Sequence, residues 1–201
     1  MNVPVYTVGY SAFPDPNCLF SEIKKNGIQV IIDVRSQPHS QHYPQFDFEC
    51  MDRACAANQI YYRSYAAEFG ARKQDLNSIY PRYLNFPELS AQPEFAAGCE
   101  KILRSVQAGF IMCLMCAEAD PINCHRSLVI GKALKERGLE VTHIHPGGGL
   151  ETQTQLESRL LQTHFPNAGQ MSLLDTDPLS DDEMLEQAYR MQSAEIQKVK
   201  K

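Results

Sequence analysis

Two dense apolar runs, residues 28–34 and 110–115, constrain the fold of this chain more than any other feature. The first is rich in β-branched residues, and the second has no polar side chain. Apolar residues at successive positions are typical of strands covered on both faces, as in parallel sheets flanked by helices. Residues 3–8 form a third β-rich run, which stops at Gly9. The pattern predicts that these three runs are neighbouring parallel strands.

Helical patterns fill the segments between these runs. Residues 17–26 place apolar side chains at helical spacing, and Gly27 follows where a helix commonly ends. Strand–helix–strand units of this length pair their strands in parallel. The predicted fold is therefore α/β, a mostly parallel open sheet with helices on both faces, as in a Rossmann-like three-layer sandwich. Further helices are expected at residues 46–58, 94–107 and 124–137, and further strands at 59–63 and 140–144.

The segment organisation predicts one main domain and a C-terminal appendage. Residues 1–165 are expected to form a single α/β domain, with a long Pro- and Tyr-rich excursion at 68–93. Residues 166–201 are expected to be a linker followed by a peripheral helix. Ser180 and Glu183 have the spacing of a capping box at the start of that helix. The helix either docks on the core, frays in solvent, or binds a partner.

Composition excludes several classes of protein. The 201 residues carry a net charge of -5, so no overall basic field attracts nucleic acid or an anionic membrane. No apolar run reaches the roughly 20 residues that a membrane helix needs, and residues 1–10 lack the features of a signal peptide. Seven scattered cysteines are typical of a reducing compartment. We therefore expect a cytoplasmic protein with no membrane partner; its oligomeric state is left open.

Polar residues cluster directly after each predicted strand. In open α/β sheets, ligands bind outside the carboxyl ends of the strands. Because these ends meet at one edge, we expect the clusters to form one site. They are Gly9-Tyr10-Ser11, the segment that begins Asp33-Val34-Arg35-Ser36, residues 116–126, and His143 with His145.

The tripeptide Cys124-His125-Arg126 is predicted to lie at the start of a helix. Free backbone N–H groups there favour an anion, and a neighbouring arginine lowers the pKa of a thiol. Alternatively, Cys124 only packs or caps, and Arg126 pairs with Glu118 or Asp33. The predicted catalytic residues are Cys116, Glu118, Cys124 and His125. The predicted ligand-binding residues are Ser11, Asp33, Arg35, Ser36, Arg72 and Arg126.

A metal site is the competing interpretation of the same residues. Cys116, Cys124, His125 and His143 together form a conceivable zinc-binding set. Seven residues separate the two cysteines, whereas zinc knuckles usually have two to four. From this spacing we expect no tightly bound zinc and no other cofactor.

Several of these segments resemble the family known as domain of unknown function 488. The matching segments are Thr7-Val8-Gly9-Tyr10-Ser11, Asp33-Val34-Arg35-Ser36-Gln37-Pro38-His39-Ser40, Tyr43-Pro44-Gln45-Phe46, Glu68-Phe69-Gly70-Ala71-Arg72 and residues 116–126. They occur in the family order within about the first 145 residues. The chain departs from the family pattern at Tyr10, where His is usual, at Ala71, where Gly is usual, and at Gln41 or His42, where an Arg is common. The resemblance implies an α/β fold and no settled activity; some relatives have labels tied to DNA repair.

Three functional hypotheses follow. The first is an enzyme-like pocket for a small phosphorylated or carboxylated ligand, such as a nucleotide or a nucleic-acid end, with a cysteine nucleophile. The second is a non-catalytic module that binds nucleic acid or a protein partner. The third is a structural metal protein.

Overall fold

The structure, a computed structural model, describes residues 3–73, 82–166 and 179–199. A six-stranded sheet has the strand order β3-β2-β6-β1-β7-β8, and a second pair, β4 and β5, is antiparallel. The strands are β1 Val5–Gly9, β2 Val30–Asp33, β3 Tyr61–Ser64, β4 Arg72–Lys73, β5 Arg82–Tyr83, β6 Met112–Cys116, β7 Val141–Ile144 and β8 Leu150–Thr152.

Strands β3, β2, β6, β1 and β7 are parallel, and only β8 runs antiparallel at the edge of the large sheet. The three apolar runs of the sequence are therefore neighbours, in the order β2, β6, β1, as predicted. Strand β8 was not predicted, because its three residues are partly exposed and follow a glycine-rich turn. Its pairing with β7 depends on the chain reversing at 146–149.

Helices cover both faces of the sheet, which confirms the three-layer α/β architecture. Alternate residues of β2 and β6 point to opposite faces: Ile31 and Cys113 pack on α1 and α2, whereas Ile32 and Leu114 face α5 to α8. Each fully buried aliphatic side chain contributes about 1.5–3 kcal/mol to folding. The helices are α1 Pro16–Lys25, α2 Phe48–Ala57, α3 Ala66–Phe69, α4 Phe86–Ser90, α5 Pro93–Gln107, α6 Lys132–Glu136, α7 Gln153–His164 and α8 Asp181–Val199.

The helix expected over residues 124–137 differs from the prediction. A π-helix, Arg126–Gly131, precedes the short α6, and the Lys132 N–H bonds to the Ser127 carbonyl five residues earlier. Gly131 faces the buried Gln153 side chain, whose Oε1 would lie 2.5 Å from a Cβ at residue 131. The wider helix thus forms where α7 inserts a polar side chain.

Helix α8 packs against α7 and buries Ala188, Tyr189 and Ile196 in the main core. The predicted capping box is present: the Glu183 N–H donates to Ser180 Oγ, and the Ser180 N–H donates to the Glu183 carboxylate. Residues 167–178, the predicted linker, lie outside the described residues. Among the described helices, none is both long and apolar enough to cross a membrane.

Candidate metal centre at the carboxyl edge of the sheet

Four side chains with metal-binding atoms converge where β6 ends. Cys116 is the last residue of β6, Glu118 lies two residues later, and Cys124 and His125 immediately precede the π-helix. One ligand atom from each residue lies within 4.8 Å of the other three. This group is called the Cys–Glu–His cluster below.

The seven residues between the two cysteines fold back on themselves, which brings Cys124 next to Cys116. Asp120 accepts a hydrogen bond from the Ile122 N–H and thereby starts the 3₁₀ turn Pro121–Asn123. Ser127 Oγ then donates to the Cys124 carbonyl at 3.0 Å and also to the Pro121 carbonyl. This tight local turn brings the two cysteines together although they are farther apart in sequence than the cysteines of a zinc knuckle.

Distances inside the cluster are short and nearly uniform. The sulfurs of Cys116 and Cys124 each lie 3.1 Å from Glu118 Oε2. The same sulfurs lie 3.8 and 3.9 Å from Nδ1 of His125. Both thiols therefore share one carboxylate oxygen and one imidazole nitrogen.

The other nitrogen of His125 fixes which face the ring presents to the thiols. Nε2 lies 3.2 Å from the Val34 carbonyl oxygen, which can only accept a hydrogen bond. Nε2 therefore carries a proton, and in the neutral ring the lone pair of Nδ1 points to the two sulfurs. A backbone carbonyl commonly orients metal-binding histidines in this way.

The pKa values of the two thiols are shifted in opposite directions, although burial acts to raise both. The hydrogen bond with Cys124 and burial raise the pKa of Cys116 well above its usual value. Burial also acts to raise the pKa of Cys124, but the hydrogen bond from Cys116 and the charge of Arg126 outweigh it, so that pKa is lowered. Cys124 is accordingly the thiol that ionises first, as a metal ligand or a nucleophile requires.

Arg126, predicted to bind a ligand anion, is fully buried and donates to the protein itself. Its Nη1 donates to the Glu118 carbonyl, Nη2 to the Ala119 carbonyl at 3.1 Å, and Nε to Thr7 Oγ1 at 3.3 Å. The side chain holds the loop that carries Glu118 against β1. Gly9 permits this contact, because a Cβ there would lie 1.8 Å from the Glu118 carbonyl oxygen.

Arg35 and Asp33, the next predicted pair, form a buried ion pair beside the cluster. Arg35 Nε lies 2.9 and 3.0 Å from the two oxygens of Asp33, and Nη2 also donates to the Phe46 carbonyl at 2.9 Å. Tyr62 donates its hydroxyl proton to the same carboxylate, and the guanidinium lies 4.9 Å from the centre of the Tyr10 ring. The pair fixes the loop after β2.

The remaining predicted residues lie around this edge at different distances from the cluster. The Ser11 N–H donates to the Ala117 carbonyl at 3.1 Å, one residue after Cys116. Ser36 lies against Gly70, where a Cβ would be 3.1 Å from Ser36 Oγ. Arg72 belongs to β4, and its side chain lies outside the described residues.

His143, weighed as a zinc ligand from the sequence, lies in a separate buried network. Its Nδ1 is 2.8 Å from Thr7 Oγ1, and its Nε2 is 3.0 Å from Gln153 Oε1. Glu118 occupies the fourth place in the cluster instead. Thr7 lies in a segment that resembles the family but was not predicted as a site residue, and Gln153 has no motif. The two are connected only through His143, by the packing of the sheet and α7.

A family model described as "Domain of unknown function DUF488" matches residues 17–133, which is more than half of the chain. The chain belongs to this family. The DUF488 match includes every member of the Cys–Glu–His cluster and the Asp33–Arg35 pair; β1, α7 and α8 lie outside it. A search of curated proteins and a search of solved structures each found no match.

Proposed function

We propose that this chain is a metal-dependent protein that acts on a small anionic ligand at the carboxyl edge of its sheet. One divalent transition-metal ion, with zinc as the first choice, is bound by Cys116, Cys124 and His125, and Glu118 is a fourth, replaceable ligand. The observation that carries this proposal is the convergence of all four donor atoms within 4.8 Å. It departs from our sequence-based expectation of no tightly bound zinc, which stays a prediction that metal analysis tests.

The distances in the cluster suit a tetrahedral ion. Zinc lies about 2.3 Å from thiolate sulfur and about 2.0–2.1 Å from imidazole nitrogen, so neighbouring donors in a tetrahedron are about 3.3–3.8 Å apart. The Sγ-to-Nδ1 separations of 3.8 and 3.9 Å and the Sγ-to-Oε2 separations of 3.1 Å are close to that range. Two sulfurs with a nitrogen and an oxygen favour zinc over magnesium or calcium.

Burial distinguishes Glu118 from the other three ligands. Cys116, Cys124 and His125 are 3%, 0% and 5% exposed, whereas Glu118 is partly exposed. A ligand from solvent therefore reaches the metal most easily by displacing Glu118. Catalytic zinc sites have this composition, three protein ligands and one exchangeable position.

The class of ligand follows from charge. A carboxylate that displaces the Glu118 carboxylate leaves the net charge of the metal and its ligands unchanged, and a phosphate group makes that net charge more negative by up to about one unit. Arg126 donates to Thr7 and to two backbone carbonyls, so the metal is a better anchor for the anion than Arg126. Arg35 is paired with Asp33 through Nε, and its buried Nη1 has no hydrogen-bond partner among the described residues. The metal would then polarise the bound oxygen as a Lewis acid.

The test is metal content of the purified protein, compared between two matched variants. Cys124→Ser removes a proposed ligand, whereas Cys55→Ser alters a buried cysteine on the opposite face of the sheet. We expect about one zinc per chain in the wild type and in Cys55→Ser, and a loss of at least tenfold in affinity in Cys124→Ser. Cobalt substitution should give sulfur-to-cobalt charge-transfer absorption in the wild type and in Cys55→Ser, but not in Cys124→Ser.

Two results would contradict the metal centre: no zinc bound at micromolar free metal, or equal zinc in Cys124→Ser and Cys55→Ser. The anionic ligand has its own test. Inorganic phosphate should change the cobalt spectrum of the wild type, and at lower concentration in Glu118→Ala. An unchanged spectrum in both proteins would limit the centre to a structural role.

A second candidate function is the thiol chemistry expected from the sequence, in which Cys124 or Cys116 is a nucleophile and Glu118 or His125 carries a proton. The shared hydrogen bonds of both thiols to Glu118 support it. Alkylation with iodoacetamide, carried out once with a chelator and once with added zinc, distinguishes the nucleophile from the metal site. Rapid labelling of Cys124 at neutral pH favours the nucleophile, and zinc-dependent protection favours the metal.

A further inference from the structure

We propose that the C-terminal helix α8 is a positioning element of the metal centre, acting through Gln192 and Tyr189. The inference rests on the proposed metal site and adds to it a control element beyond the part of the chain that matches the DUF488 family. Both side chains are buried and polar. Gln192 is hydrogen-bonded to Asn123, next to Cys124, and Tyr189 is hydrogen-bonded to Gln153, which in turn bonds to the π-helix after His125. One connection ends directly before Cys124 in the sequence, and the other ends two residues after His125.

Gln192 contacts the turn that delivers Cys124. Its Nε2 donates to Asn123 Oδ1 at 3.0 Å, and Asn123 is the residue directly before Cys124. Its Oε1 lies 2.8 Å from Nε2 of His164 at the end of α7. The hydrogen bond with His164 therefore fixes the side-chain amide of Gln192, which in turn restrains the Pro121–Asn123 turn.

Tyr189 is connected through Gln153 to the π-helix that follows His125. Its hydroxyl accepts a hydrogen bond from Gln153 Nε2 at 2.9 Å and donates to Glu157 Oε1 at 3.0 Å. Gln153 Nε2 also lies 3.3 Å from the carbonyl oxygen of Ser127, two residues after His125. Tyr189 thereby fixes the amide that is inserted against the π-helix.

The side-chain amide of Gln153 also belongs to a buried series of hydrogen bonds that leads to the loop of Glu118. Gln153 Oε1 accepts from His143 Nε2, His143 Nδ1 accepts from the Thr7 hydroxyl, and Thr7 Oγ1 accepts from Arg126 Nε. Arg126 in turn donates to the Glu118 carbonyl.

The hydrogen bonds of this buried series all run in one direction, from Arg126 as the donor to Glu157 as the last acceptor. Arg126 can only donate hydrogen bonds, and a carboxylate such as that of Glu157 can only accept them. Every proton between them is therefore assigned, and His143 is fixed as the Nε2–H tautomer. Displacement of Tyr189 would free the side chain of Gln153, and the hydrogen bonds from Gln153 through His143 and Thr7 to Arg126 would weaken. Docking of α8 and geometry of the metal site are coupled for this reason.

The experiment compares zinc release from the full chain in the wild type, Tyr189→Phe, Gln192→Ala and the double variant. Gln187→Ala is the matched control, because Gln187 is exposed on the same helix. Release is followed with a chromophoric chelator in excess. We expect release to be several-fold faster in each single variant and about tenfold faster in the double variant, in line with outer-shell substitutions at metal sites. The control should stay within twofold of the wild type.

Cobalt spectra separate a positioning role from a general loss of stability. Tyr189→Phe keeps the aromatic ring and removes only the hydroxyl, so it should fold normally while its cobalt absorption bands shift. Unchanged release rates and spectra in Tyr189→Phe and Gln192→Ala, with one zinc in the wild type, would overturn this inference and leave the metal centre intact. Absence of zinc from the wild type would instead overturn the proposed function.

Discussion

His143 shows how one buried side chain can be committed to a single protonation state. It is fully buried, its Nδ1 accepts a hydrogen bond from the Thr7 hydroxyl, and its Nε2 donates to Gln153. Burial, followed by the nearby charge of Arg126, lowers its pKa to about 3. A second ring proton would displace the hydroxyl proton of Thr7 from Nδ1, so the folded protein favours the neutral ring.

This lowered pKa predicts how stability depends on pH. Below about pH 6.5 the unfolded chain protonates His143 but the folded chain does not, so the free energy of unfolding falls as pH decreases towards 3. The loss approaches about 1.4 kcal/mol per pH unit. Urea unfolding with chelator present, at pH 7.5 to 5, should show a shallower pH dependence in His143→Gln than in the wild type. The exposed His42→Gln should follow the wild type; equal slopes in wild type and His143→Gln would contradict the prediction.

At the scale of elements, the π-helix links the ligand residues to α7. The helix begins one residue after His125, and a carbonyl in its first turn, that of Ser127, lies within reach of Gln153. Single π turns inside α-helices often occur at functional sites. Here the wider turn accommodates a polar side chain from a helix more than 25 residues away in sequence.

Gln153→Ala should therefore destabilise the protein through this element. It leaves the His143 Nε2–H without an acceptor and takes one donor from the Ser127 carbonyl, at a cost of about 1–3 kcal/mol. The midpoint of urea unfolding measures this loss. Gln162→Ala, at an exposed position of α7, should change stability by less than about 0.5 kcal/mol. Similar midpoints for both variants would show that Gln153 does not support the π-helix.

At the scale of the molecule, the proposed centre joins segments that are remote in sequence. Cys116 belongs to β6, His125 bonds to the carbonyl of Val34 after β2, and Glu118 is held against β1 through Arg126. A bound ion would therefore connect the middle of the sheet to the helices on one face. Because the unfolded chain lacks this geometry, the ion favours the folded state.

Zinc should accordingly raise the thermal stability of the whole domain. At a free zinc concentration about 100 times the dissociation constant, the gain is about 2.7 kcal/mol. Thermal unfolding should shift upwards with zinc and back with chelator in the wild type and in Cys55→Ser. Cys124→Ser should not respond. An equal zinc response in Cys124→Ser would locate the binding outside the Cys–Glu–His cluster.

The sequence by itself determined the layered α/β fold and the edge where polar residues gather. Dense apolar runs such as residues 110–115 can be satisfied only when both faces of a strand are covered, and this signal is local. The same logic identified Cys116, Glu118, Cys124 and His125, because Cys116 is the last residue of β6 and the other three follow within the next nine residues.

The tertiary structure alone decided how those residues are connected. The turn at Pro121–Asn123 sets the distance between two cysteines that are seven residues apart, and the Val34 carbonyl sets the tautomer of His125. Arg126 and Arg35 donate to partners that only the folded chain supplies. Hydrogen bonds are directional and depend on distances of a few tenths of an ångström, and residues far apart in sequence reach those distances only when strands and helices pack.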